Sequence, residues 1–219
     1  MNNEKLYIKK FVFTVEGETE KWYLEWLRDQ INQCESRKFN VSVNVKIQQS
    51  PKKYYKSTTA KTTPEIFHIC DVESNERLHE EKFLNILSEM KEAKTQKNIT
   101  YRLGYSNYSF ELWMVLHKND CNGSLAHRRQ YLGHINRAFG EFFENLDQYK
   151  HEDVFKRCLG KLSLKNVLEA VKRADAITAN NKKVGKAPVQ YKGYTYYKEN
   201  PALSIQEAAK MMLESCGVL

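Results

Sequence analysis

The stretch FVFTVEGETEKWYLEWL (residues 11–27) changes period halfway, and that change decides the fold. Residues 5–15 are apolar, aromatic and β-branched, alternating or in runs, and predict a strand. Gly17 breaks the run and is expected to permit a tight strand-to-helix turn. From Thr19 onward Trp22, Tyr23, Trp26, Leu27 and Ile31 recur at three- and four-residue spacing, an amphipathic helix of four to five turns.

Working outward, FNVSVNVKI (39–47) alternates cleanly and predicts a second strand. The lysine-rich stretch that follows, with Pro51, reads as a loop. PEIFHIC (64–70) is a short apolar strand closed by Asp71, and residues 76–94 predict a helix with Leu78, Phe83, Leu87 and Met90 inward. NITYRLGYS (98–106) is a fourth strand, and SFELWMVLH (109–117) is apolar nearly all round, the mark of a buried helix. The order β-α-β-β-α-β-α predicts an α/β fold with a mostly parallel four-stranded sheet and helices on its faces. Beyond residue 118, helices are expected at 125–147, 151–159, 162–180 and 202–216, with VQYKGYTYY (189–197) the one possible strand. The reading is therefore an α/β core over 1–118 and a C-terminal helical subdomain over 119–219.

The chain has 35 Lys+Arg against 27 Asp+Glu, a formal charge of +8. That favours a polyanionic partner. The excess concentrates in KIQQSPKKYYKSTTAK (46–61) and KKVGKAPVQYKGYTYYK (182–198), each with five lysines and no acid. Lys52, Lys53, Lys56, Lys61, Lys186 and Lys192 are candidates to neutralise phosphates, with Tyr54 and Tyr55 to stack on bases. The alternative is a pair of solvated loops. Five scattered cysteines without a C-x-x-C pair argue against a cysteine zinc site and a disulfide framework. No apolar run reaches the roughly 20 residues of a membrane span, and no secretory leader is legible, so a cytoplasmic protein is expected. No phosphate-binding G-x-x-x-x-G-K-[ST] loop is present, which argues against ATP hydrolysis by this chain.

Ligands of an open parallel sheet bind at the carboxyl ends of its strands. Glu16 ends the first strand, Asp71 closes the third, and Glu73 lies two residues on. If the two strands are neighbours, these three carboxylates meet on one rim. Hard oxygen donors suit Mg²⁺ or Mn²⁺, and basic surface nearby suits metal-assisted phosphate chemistry. Glu18 and Glu20 also fall in a first helical turn, where the helix dipole favours negative charge.

VEGETEKWYL followed by ICDVES resembles the Toprim pattern, a Glu-Gly after the first strand and an acidic pair after a later one. SNYSFELWMVLHK (106–118), LEAVKRADAITANN (168–181) and NPALSIQEAAKMML (200–213) are similar to segments of the RloB-like family. These are Toprim-related proteins of restriction and abortive-infection loci, akin to OLD-type nucleases and often encoded beside an ATPase. Two departures stand out: the acidic pair reads Asp71-Val72-Glu73 where the family more often has Asp-x-Asp, and Tyr108 stands where proline often follows Ser-Asn. The resemblance implies a Mg²⁺- or Mn²⁺-dependent nuclease acting on RNA, possibly tRNA, or on DNA in antiphage defence. Its alternative is a non-catalytic nucleic-acid-binding or toxin subunit working with an ATPase partner. It further implies Glu16 as metal ligand or general acid/base, Asp71 and Glu73 as metal ligands, and Glu20 as a second-metal or supporting residue. Glu111 is either metal-directed or a helix-dipole carboxylate. Asn107 is either a helix cap or an orienter of water, and His117 either structural or catalytic.

Overall fold

The computed structural model describes residues 6–58, 65–74, 76–123, 125 and 127–219. Four strands, β1 (Ile8–Val15), β2 (Asn40–Ile47), β3 (Glu65–Val72) and β4 (Thr100–Asn107), form a sheet in the order β2-β1-β3-β4. Every pairing is parallel, with Val15 opposite Ile47 and Ile69, and Val72 opposite Asn107. The parallel α/β architecture read from the sequence is thus what the chain forms. All four carboxyl ends lie at one rim, and β1 and β3 are neighbours.

Alternation along the strands supplies two apolar faces. Phe13, Val15, Val41, Phe67 and Ile69 face one core, shared with α1 (Glu18–Gln33) and α4 (Glu111–Leu116). Ile66, Cys70, Val72, Tyr101 and Tyr105 face a second core, covered by α2 (Pro51–Ser57) and α3 (Arg77–Lys97). Because α1 and α3 lie on opposite faces, the neighbouring strands β1 and β3 form the crevice where such sheets bind ligands. All six residues of α4 are buried, which is why it is apolar nearly all round.

The second half of the chain packs onto both faces. It contains α5 (Tyr131–Phe139), α6 (Leu146–Lys150), α7 (Glu152–Leu159), α8 (Leu164–Lys183), a hairpin of β5 (Val189–Tyr191) and β6 (Tyr194–Tyr196), and α9 (Gln206–Ser215). The helices add Ile135, Phe155, Val171, Ile177 and Met212 to the first core. The hairpin adds Tyr196 to the second, its ring edge-on to Phe83 at 4.9 Å. Residues 202–204 cover the free edge of β4: the Asn107 N–H donates to the Ala202 carbonyl and the Ser204 N–H to that of Tyr105.

Several expectations are corrected. The stretch expected as a loop contains α2. Ser50 caps it by accepting from the Lys53 N–H, and Pro51 occupies the first turn, where its missing N–H costs nothing. The single helix expected over 125–147 is broken into a 3₁₀ turn at 128–130, α5 and α6. Gly140 ends α5 in the left-handed region (φ 64°), and the Asn145 side chain caps α6. Leu78, expected inward, is exposed because it lies in the first turn of α3, short of the core. All five cysteines are unpaired, and no helix among the described residues is long and apolar enough to cross a membrane.

Candidate functional site

Four carboxylates act on one another at the carboxyl rim. Glu16 follows β1 directly, and its Oε2 accepts the Asp71 N–H at 3.2 Å, which ties the end of β1 to β3. Its Oε1 is buried without a hydrogen-bond donor, 3.8 Å from the Lys82 ammonium. Glu20, in the first turn of α1, is buried, and its Oε2 accepts from the Thr19 hydroxyl at 3.1 Å. Glu111 opens α4 and is fully buried; neither oxygen accepts a hydrogen bond, although the Lys150 ammonium stands 3.2 Å away.

Burial and mutual repulsion dominate the electrostatics. Glu20 is pushed up to about 7, first by burial and then by Glu111 and Glu16. Asp71 is held well above the usual carboxylate range by burial of its carboxyl, then by Glu16, Glu20 and Glu111. Glu16 is raised by burial and lowered in part by Lys82 and the Asp71 N–H. Crowded like charges repel, and a cation bound among them would relieve that repulsion.

Glu73 stands differently. Its Oε1 accepts from Lys82 at 2.7 Å, its Oε2 lies 3.5 Å from His79, and Lys82 holds its carboxyl below the usual range. The rim therefore couples Glu16 and Asp71 to Glu20 and Glu111, while Glu73 is taken up by Lys82. Among the described residues, no three His, Cys, Asp or Glu side chains close on one metal position. The donor set nevertheless suits a hard divalent cation: it is all oxygen, and Glu16 and Glu111 keep buried oxygens without donors. Magnesium needs only one or two carboxylates, with water or phosphate completing its shell.

Other anticipated residues take different parts. Gly17 is extended (φ −147°), so its turn does not require glycine. An added Cβ would lie 3.2 Å from Glu20 Oε2, so the missing side chain makes room for that carboxylate. Asn107 does not cap α4, whose N-cap is Phe110; its amide donates to the Tyr197 and Lys198 carbonyls and pins the hairpin strand to the rim. His117 is buried: Nδ1–H donates to the Trp113 carbonyl at 2.9 Å, so Nε2 accepts from the Tyr23 hydroxyl at 3.0 Å. With both nitrogens taken and its pKa lowered to about 4 by burial, it packs the α1–α4 interface as a neutral ring.

Of the basic stretches, Lys52 pairs with Glu92 at 3.3 Å, Lys53 and Lys56 are exposed on α2, and Lys61 lies outside the described residues. Tyr55 is fully buried and cannot stack on a base, while Tyr54 is half-buried against the second core. Lys192 is exposed at the hairpin turn with φ 54°, followed by Gly193 at φ 92°. Lys186 is half-buried in a separate cleft with Asn181 and Asn200.

On the β1–β2 side the rim opens into a polar groove of about 460 Å³, lined by Glu16, Gln48, Gln49, Lys53, Lys82 and Asn85, among others. Lys82 and Lys150 carry the positive charge nearest the carboxylates, and sequence reasoning missed both. They lie on α3 and α6, which carry no motif, and only the fold brings them to the rim.

No curated protein and no solved structure matches the chain significantly. The family model described as RloB-like protein matches residues 11–205, a span that holds Glu16, Asp71, the FELW helix and the Asn-Pro segment. With this match covering most of its length, the chain belongs to the RloB-like family.

Proposed function

We propose that this protein is a Mg²⁺- or Mn²⁺-dependent phosphodiesterase of the Toprim type, cutting RNA or DNA in antiphage defence beside an ATPase partner. The observation that carries the reading is the group of four mutually repelling carboxylates, Glu16, Glu20, Asp71 and Glu111, with unsatisfied buried oxygens at the carboxyl end of a parallel sheet. Glu16 and Asp71 would hold the metal, with Glu111 and Glu20 behind them, in place of the Glu16–Asp71–Glu73 set. A metal bound there would activate water and offset charge on the phosphate. Lys82 would offset phosphate charge from the groove side, anchored by Glu73 at 2.7 Å. Lys150 offsets the buried Glu111 charge from the other side. The polar groove beyond Glu16 offers amides and two lysines to a polyanion.

The test is cleavage of tRNA, single-stranded RNA and plasmid DNA with Mg²⁺ or Mn²⁺, comparing wild type with Glu16→Gln, Asp71→Asn and Glu111→Gln. Loss of at least about a hundredfold in rate in the first two is expected, the scale of removing a principal electrostatic contributor. Cleavage untouched by both substitutions overturns the assignment. Toxicity in cells without cleavage of any substrate would favour a non-catalytic subunit.

A further inference from the structure

The carboxylates have a second flank, on the β3–β4 side. A small cavity of about 180 Å³ there is lined by Glu73, His79, Tyr108, His127 and Arg128. Arg128 also lines an adjoining cavity of about 530 Å³ with Arg129 and with Lys150, the partner of Glu111. The two cavities thus join Glu73 at one end of the rim to Lys150 at the other.

We propose that this cleft seats a nucleotide of a single-stranded nucleic acid, with Tyr108 stacking on its base and Arg128 and Arg129 holding its backbone phosphates. The proposal takes the identity of the ligand from the nuclease reading and is otherwise independent of it. Both arginines are exposed, and no acid stands within ion-pair distance of either among the described residues, although Glu73 and Glu76 line the smaller cavity, Glu144 and Asp147 the larger, and Arg128 acts on Glu73 at longer range. Leaving two guanidinium groups unpaired beside available acids keeps their forked donors for a ligand, and phosphate matches that fork. The arginines are also preorganised. The His127 ring accepts the Arg129 N–H at 3.1 Å and the Gln130 side chain accepts the His127 N–H at 3.0 Å, so both stand on a capped turn.

Tyr108 supplies the second observation. Its φ is 65°, a conformation that bulky side chains rarely adopt, and the Ser109 N–H donates to the Asn107 carbonyl across it at 2.9 Å. The Tyr108 N–H itself donates to the Val72 carbonyl at 2.7 Å. A half-buried aromatic held at backbone cost beside unpaired arginines is what a stacking platform requires. With the groove at Glu16 on the opposite flank, a strand crossing the rim would have a polar recess on each side of the carboxylates.

The test is fluorescence anisotropy of short labelled single-stranded RNA and DNA, in EDTA so that no strand is cut. Arg128→Ala with Arg129→Ala should weaken binding about tenfold or more. It should also lower the slope of log affinity against log salt by about 0.7 for each phosphate left without its arginine. Tyr108→Asn keeps a residue that tolerates positive φ but removes the ring, and should weaken binding about fivefold or more without changing that slope. Tyr108→Phe, which keeps the ring, should restore binding. Wild-type affinity and slope in the double-arginine variant, or no oligonucleotide binding by the wild-type protein, overturns the proposal. The arginines are exposed, so that variant reports even if Tyr108→Asn fails to fold. Cleavage is scored separately, and its absence would count against the nuclease reading while leaving this cleft standing.

Discussion

At Gly17 and Lys150 single residues set the state of the carboxylates. Gly17 leaves the space that Glu20 Oε2 occupies, so Gly17→Ala must displace that carboxylate by a few tenths of an ångström. We expect a thermal midpoint within about 4 °C of wild type, the effect of roughly 1 kcal/mol or less, together with a clear loss of metal-dependent cleavage. Lys150 is the cation beside the fully buried Glu111. Lys150→Met should cost about 2 kcal/mol in urea unfolding, less than a fully buried pair because the lysine is partly exposed. Adding Glu111→Gln should recover most of that loss, and no recovery would deny the pairing. Tyr108 marks a departure that matters: a proline there could neither adopt φ 65° nor donate to the Val72 carbonyl.

Among the elements, α4 shows how a periodic reading settles burial and leaves role open. Its apolar sequence predicted a buried helix, and it is buried, but His117 at its end serves packing against α1. Burial lowers His117 to about 4, below its unfolded value of 6.5. As pH falls the unfolded chain takes the proton first, so this histidine's contribution is complete above about 6.5 and is lost down to about 4. In His117→Gln the deficit relative to wild type should therefore shrink over that window, by at most about 1.4 kcal/mol per pH unit, measured by urea unfolding at stepped pH. An unchanged deficit would mean that the ring takes its proton in the fold as readily as in the unfolded chain. α2 makes the opposite point. Its lysines and Pro51 read as a loop, but Ser50 caps it and burial of Tyr55 holds it as a helix.

For the whole molecule, the coupling of the carboxylates predicts that a cation stabilises the fold. At a hundred times its dissociation constant, Mn²⁺ should add about 2.7 kcal/mol to unfolding free energy, seen as a raised melting temperature. Asp71→Asn should abolish the shift, and a shift retained in that variant would place the metal elsewhere. Much of this molecule was legible in the chain. The four strands, the helices α1, α3 and α4 and the placing of Glu16 and Asp71 at strand ends follow from local periodicity, which depends only on neighbouring residues. Whether β1 and β3 are neighbours does not, because strand order is set by which apolar faces can be covered at once. Only the tertiary structure, therefore, brought Glu20 and Glu111 to Asp71, turned Glu73 toward Lys82, and raised Lys150, Arg128 and Arg129 around the rim. Those residues lie far apart along the chain and carry no pattern, and their meeting is decided by how the fold brings α3, α6 and the capped turn around the rim of one sheet.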